Sequence, residues 1–159
     1  MGKKLILSDL HRLRSRWADN IFVGSLPYAA VSQMNWPTGL VHLPQYGLYH
    51  IQKRHPDIRD DDLLWLPLAI RDGLIMQDEK DSKYVNISYE PPGHPLRYRV
   101  MLKHVASEAE TFVSTMHRMK FRQTKSLLKR SRIILNARVG SLRVGSTGRL
   151  PYRRRKGLP

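Results

Sequence analysis

The sequence contains no cysteine, which removes any disulfide framework and any thiolate metal site. It also lacks an apolar run near the roughly 18–20 residues that a membrane-spanning helix needs. Met1-Gly2-Lys3-Lys4 is followed by only three apolar residues, too few for the hydrophobic stretch of a signal peptide. A soluble, cytoplasmic protein without membrane contact is therefore expected. There is no Walker-type loop and no G-x-G-x-x-G pattern, so no nucleotide cofactor is expected. The seven histidines (His11, His42, His50, His55, His94, His104 and His117) show none of the i, i+4 pairs of a zinc helix. Asp60-Asp61-Asp62 is explained more simply by a helix N-terminus than by a divalent ion. Neither metal nor cofactor is expected. The last absence is of one sign of charge: no Asp or Glu follows Glu110.

What is present instead is a concentrated positive charge. From Thr111 onward there are 14 Lys and Arg, against a net charge of +15 for all 159 residues, so the surplus belongs to one region. Arg118, Lys120, Arg122, Lys125, Lys129, Arg130, Arg153, Arg154, Arg155 and Lys156 are its candidate contacts to nucleic acid. Cations at this density with no carboxylates among them suit a polyanion whose counterions are released on binding. The competing explanations are a solubilising tail or a surface that docks an acidic protein. An anionic membrane fits less well, because the segment has no large apolar face to insert. An apolar fraction of 41% with three Trp, seven Tyr and three Phe argues for a folded body.

Periodicity gives a first outline of that body. Leu10, Leu13 and Trp17 fall on one side of a short helix, and Ile21–Gly24 with Gly39–Leu43 reads as a pair of strands. Leu48, Ile51 and His55 share the face of a helix that Pro56 must end. A second helix opens at Asp60-Asp61-Asp62 and runs to about Arg71, broken or kinked at Pro67 and stopped by Gly73. From Leu74 the period changes to short β-type runs at 74–77, 84–89, 96–102 and 111–116, spaced for hairpins. A last helix over 123–130, reaching Leu135, completes the pattern. The expected fold is α+β: N-terminal helices packed on a curved antiparallel sheet of about four strands, with a flexible basic C-terminal tail. The expected division is 1–135 as the folded domain and 136–159 as the tail. In that tail Arg138-Val139-Gly140-Ser141 and Arg143-Val144-Gly145-Ser146 nearly duplicate each other in a Gly/Ser/Arg-rich context.

Residues with chemical potential cluster around the third helix. His50 and Arg54 are four apart and so neighbours on its surface. His55 lies at its carboxyl end, where the helix dipole is expected to raise an imidazole pKa. Imidazoles beside an arginine are what phosphodiester cleavage without a metal requires. Arg99 and Lys103 share one strand face, and Thr115 and His117 another. Each has a blander explanation: His55 as a core or capping histidine, Arg99 and Lys103 as a solvated face, Thr115 as a β-former.

Tyr49-His50-Ile51-Gln52-Lys53-Arg54-His55-Pro56 resembles the "HI-x-K-R/K-H-P" helix of phage-associated nucleases grouped with barnase, EndoU, colicin-type and RelE-like ribonucleases. Residues 97–103 and 112–118 resemble later strands of that fold and 127–130 its closing segment, a likeness spanning roughly 40–135. The resemblance implies helices followed by a curved antiparallel sheet and RNA cleavage without metal. It also implies a site drawn from His50, Arg54 or His55 on the helix, Arg99 or Lys103 on one strand, and Thr115 or His117 on another. No Glu occupies an obvious barnase-like base position, so histidine must serve as the base. The expectation is a metal-independent endoribonuclease, toxin-like or phage-associated, acting on RNA; a basic protein that docks an acidic partner, such as a toxin held by its antidote, is a separate third option. The alternative is a non-catalytic RNA- or DNA-binding protein of a phage or ribonucleoprotein assembly.

Overall fold

A computed structural model describes residues 4–136. The chain begins with α1 (Leu7–Arg14), which buries Leu10 and Leu13, while the Asp9 carboxylate accepts from the Ile6 N–H at 3.1 Å. The expected partnership with Trp17 fails. The helix stops at Arg14, Arg16 takes a left-handed φ of 66°, and Trp17 is left 81% exposed. Strand β1 (Asn20–Ser25) leads into α2 (Tyr28–Met34), a helix the sequence reading did not contain, and then β2 (Leu40–Pro44). β1 and β2 pair antiparallel, as their alternation indicated.

Next come α3 (Gln45–Arg54), α4 (Asp60–Leu63) and α5 (Leu66–Asp72). The helix expected over 60–71 is thus two pieces, with Pro67 in the first turn of the second, where its missing N–H leaves nothing unsatisfied. Four strands follow: β3 (Leu74–Asp78), β4 (Tyr84–Tyr89), β5 (Tyr98–Val105) and β6 (Glu110–Arg118). They pair antiparallel in sequence order, the meander that the hairpin spacing predicts. Helix α6 (Phe121–Lys129) buries Thr124 and Leu127, with the Gln123 side chain accepting from the Lys120 N–H at 2.7 Å. The chain then returns as β7 (Ser131–Asn136) instead of extending the helix to Leu135.

The sheet therefore differs from the expected antiparallel four. It is mixed and seven-stranded, ordered β1-β2-β6-β5-β4-β3-β7, with the meander in its centre. β2 joins β6 in parallel through Val41↔Thr111 and His42↔Phe112, and β7 caps β3 antiparallel. Neither junction has a local signature. The first links segments about 70 residues apart, and the β-branched Ile133-Ile134 pair is set by the open edge of β3 rather than by helical spacing. The expected tail, 136–159, lies outside the described residues except for Asn136, which ends β7.

One face of the sheet forms the main core. Val41, Val85, Ile87, Val100, Leu102 and Val113 are fully buried there with Leu48 and Ile51 of α3 and Leu66 and Ile70 of α5. On β5 the alternation is strict, with Tyr98, Val100, Leu102 and His104 buried and Arg99, Met101, Lys103 and Val105 less so. The opposite face of β4–β5–β6 is thereby furnished with polar side chains. Among the described residues no helix is long and apolar enough to cross a membrane.

Candidate active site

Three elements meet at the polar face. Pro56 forces α3 to end, so His55 becomes its C-cap, with its N–H on the Ile51 carbonyl at 2.8 Å. That position delivers the imidazole to the end of β6, where its ring centroid lies 4.9 Å from that of His117 at a 31° tilt. Directly across the ladder from His117 is Arg99 of β5, whose other neighbour is Ser88 of β4. The Arg99 Nε donates to Asn86 Oδ1 at 2.8 Å, which orients the guanidinium. Thr115 lies two residues before His117 in β6. Among the described residues neither Thr115 Oγ1 nor His117 Nδ1, both buried, has a hydrogen-bond partner. Buried polar atoms are rarely left so, and a bound ligand or water is one way such atoms are completed.

The electrostatics favour neutral imidazoles. His117 is lowered from 6.5 to about 4, first by burial and then by the neighbouring Arg99 and His55, against the pull of Asp57. His55 is also lowered, by burial first and then by His50 and Arg54, again opposed by Asp57. The rise expected from the helix dipole is thus not found, because burial, the first cause, disfavours the charged ring and the Arg54 charge adds to it. Arg99 is lowered too, by burial and by repulsion from Arg130, with Asp78 opposing. A guanidinium stays charged at neutral pH even so, and this face of the sheet therefore holds a fixed cation beside two imidazoles.

The site residues named from sequence separate into groups. His55, Arg99 and His117 come together, and Thr115 shares the face of β6 with His117, across from Met101. His50 and Arg54 are exposed on α3 and act on His55 through their charge. Lys103 does not join them: it is exposed opposite Tyr84 and Phe112, roughly 13 Å along β5 from Arg99. Arg118 is occupied as a structural cation, 3.3 Å from Asp62 and 3.9 Å from Asp57. Lys120, Arg122, Lys125, Lys129 and Arg130 are exposed on or at the ends of α6. Arg153, Arg154, Arg155 and Lys156 lie outside the described residues.

Sequence reasoning missed the supports. Asn86 is a polar residue between Val85 and Ile87 of β4, buried to 1% exposure, and that interruption was its only signal. Asp62, recognised only as helix N-terminal charge, does accept from the Arg59 N–H at 2.8 Å. It also accepts from the Tyr98 hydroxyl and faces Arg118. Burial alone would raise its pKa, but these partners together bring it below 3.8. Among the described residues no group of three or more His, Asp or Glu is arranged to hold a metal ion. Comparison of the chain with protein families, with characterised proteins and with solved structures returns no match.

Proposed function

We propose that the chain is a metal-independent endoribonuclease whose catalytic groups are His117, His55 and Arg99. The observation that carries this reading is the meeting of two imidazoles and one oriented guanidinium on a single face of the sheet. His117, with the lower pKa, is the base: it takes the proton of a ribose 2′-hydroxyl as that oxygen attacks the adjacent phosphorus. Arg99 binds the non-bridging oxygens as negative charge builds on them. His55, protonated in a fraction of molecules, gives its proton to the departing 5′-oxygen. The products are a 2′,3′-cyclic phosphate and a 5′-hydroxyl, with the transferred proton balanced between the two histidines. Thr115 supplies a hydroxyl donor beside His117.

The likeness of Tyr49–Pro56 to the phage-associated barnase, EndoU, colicin and RelE-like nucleases supports the same chemistry, as does the basic C-terminal third. A cytoplasmic setting, in a bacterial host or with a phage, fits RNA as substrate and a chain without cysteine. An acidic antidote protein would cover the same cationic face.

The test is cleavage of a defined RNA in EDTA. Wild type is expected to cut, and H55A and H117A are each expected to lose on the order of 10²–10⁴-fold in rate. Intact RNA with folded wild-type protein would overturn the enzymatic reading, leaving nucleic-acid binding without catalysis.

A further inference from the structure

The outer surface of α3 carries more than the histidines. Tyr46 and Tyr49 are 70% and 65% exposed, although rings of that size usually lie against a core. They are three residues apart, one turn of helix, and so lie next to each other. Both line a groove of ≈ 500 Å³ with Arg14, Arg16, Gln45 and Gln52, and no carboxylate lines it. Its walls are built rather than loose. The Gln45 amide donates to the Leu13 carbonyl at 3.1 Å, tying α3 to α1. Arg14 is fixed by Asp60 at 2.7 Å, and Arg16, whose backbone takes a left-handed φ of 66°, lies exposed at the groove's edge.

Continuing along the same exposed surface, His50, Lys53 and Arg54 follow within about 12 Å of helix from Tyr46, and His55 comes next. Two flat rings flanked by guanidinium groups, followed by a line of cations, match the chemistry of single-stranded nucleic acid. Bases stack on aromatic faces whatever their identity, and phosphates track the positive charge. An acidic protein ligand would be met by the cations alone and gives no role to two adjacent exposed aromatic rings, and a membrane would need a broader apolar face.

We propose that Tyr46 and Tyr49, with Arg16, form a stacking platform for unpaired bases of the RNA strand. This platform holds nucleotides beside the scissile phosphate and leads the strand along α3 to His55. The inference rests on the nuclease reading for its substrate, but it concerns binding and is measured separately.

The experiment is fluorescence anisotropy with a labelled 12-nucleotide single strand of 2′-deoxyribose, which lacks the attacking hydroxyl. The full chain is compared as wild type, Y46A/Y49A, Y46F/Y49F and R16A, each first checked for an unchanged thermal transition. The alanine pair is expected to weaken binding by about tenfold or more, and the phenylalanine pair to stay within about twofold because the ring faces remain. R16A is expected to weaken binding mainly at low salt and to reduce the salt dependence, whereas the tyrosine effect persists at high salt. Unchanged affinity in Y46A/Y49A overturns the platform, even if the protein cleaves RNA. Conversely, a tyrosine-dependent loss in a protein that cuts no RNA upholds the platform and removes the nuclease.

Discussion

His117 is placed so that burial, Arg99 and His55 all favour its neutral form, and this fixes the pH at which the proposed chemistry runs. A base must be unprotonated, which for His117 means a pH above about 4. An acid must be protonated, which for His55 means a pH below its own lowered value, itself under 6.5. The expected kcat/KM profile is a bell confined to mildly acidic pH, with its acid limb near 4 and its alkaline limb below 6.5. A rate that climbs steadily through pH 8 contradicts the assignment of both histidines. Asp62 offers a separate test on stability. Its folded pKa lies below 3.8, so its contribution is present above that value and is lost as pH falls through the folded pKa. D62A is expected to lose roughly 1–3 kcal/mol at pH 7, with a smaller difference at pH 3. Urea denaturation at the two pH values measures both, and equal losses at the two would refute the carboxylate's role. At this scale alternation and helix position put His55, Arg99, Thr115 and His117 forward as candidates, and the structure brings His55, Arg99 and His117 together. The sequence misjudged the charge state of His55, because the helix dipole is visible in a sequence and desolvation is not. Lys103 was included for the same reason, since strand alternation reports a face and not a distance.

Helix α3 reaches the site because it lies close against β6. Gly47 makes that approach possible: a Cβ there would come within 2.9 Å of the Val113 carbonyl oxygen and 3.2 Å of the Pro44 ring. G47A improves intrinsic helix propensity by up to about 1 kcal/mol, but overpacking against backbone costs about 1–3 kcal/mol, so the net expectation is destabilisation. Because the helix must shift outward, His55 moves away from His117, and activity is expected to fall more than stability alone explains. Thermal melts together with initial rates on the same preparation check this; a G47A protein with unchanged melting and unchanged rate refutes the close-packing argument. The elements most legible in the sequence were those with local punctuation: Pro56 ending α3, Pro67 dividing α4 from α5, and polar turns separating β3 to β6. The misread elements are governed by tertiary partners. β7 follows α6 with no glycine or proline between them, and Ile133 takes its extended form from the edge of β3, opposite Met76. α2 has no acidic first turn, no basic last turn and two buried residues, Ala30 and Met34; its one local signal is Asn35, which takes the left-handed C-cap at φ 55°.

At the scale of the whole molecule, charge and topology divide the work. The parallel contact of β2 with β6 fastens the N-terminal third to the meander, and it was invisible because no sequence pattern marks a pairing across so many residues. Positive charge, by contrast, was readable at once, and the exposed Phe121 ring of α6 has Lys125 of the same helix at 5.1 Å and Arg97, which precedes β5, at 4.9 Å. Seven further Lys and Arg lie in residues 137–159. Removing that segment is expected to weaken RNA binding and to lower the salt slope of log Kd by up to about five, at about 0.7 per phosphate contact on a single strand. Cleavage of a dinucleotide, which is too short to span both regions, should be retained; its loss would place catalytic groups in the removed segment. The most direct measurement of the central claim uses an oligonucleotide of deoxyribose with one ribose, incubated in EDTA and analysed by mass. The account expects one cut, 3′ of that ribose, leaving a 2′,3′-cyclic phosphate and a 5′-hydroxyl, and no cut by H117A. A product ending in a 5′-phosphate, or equal cutting when the single ribose is replaced by deoxyribose, would contradict it.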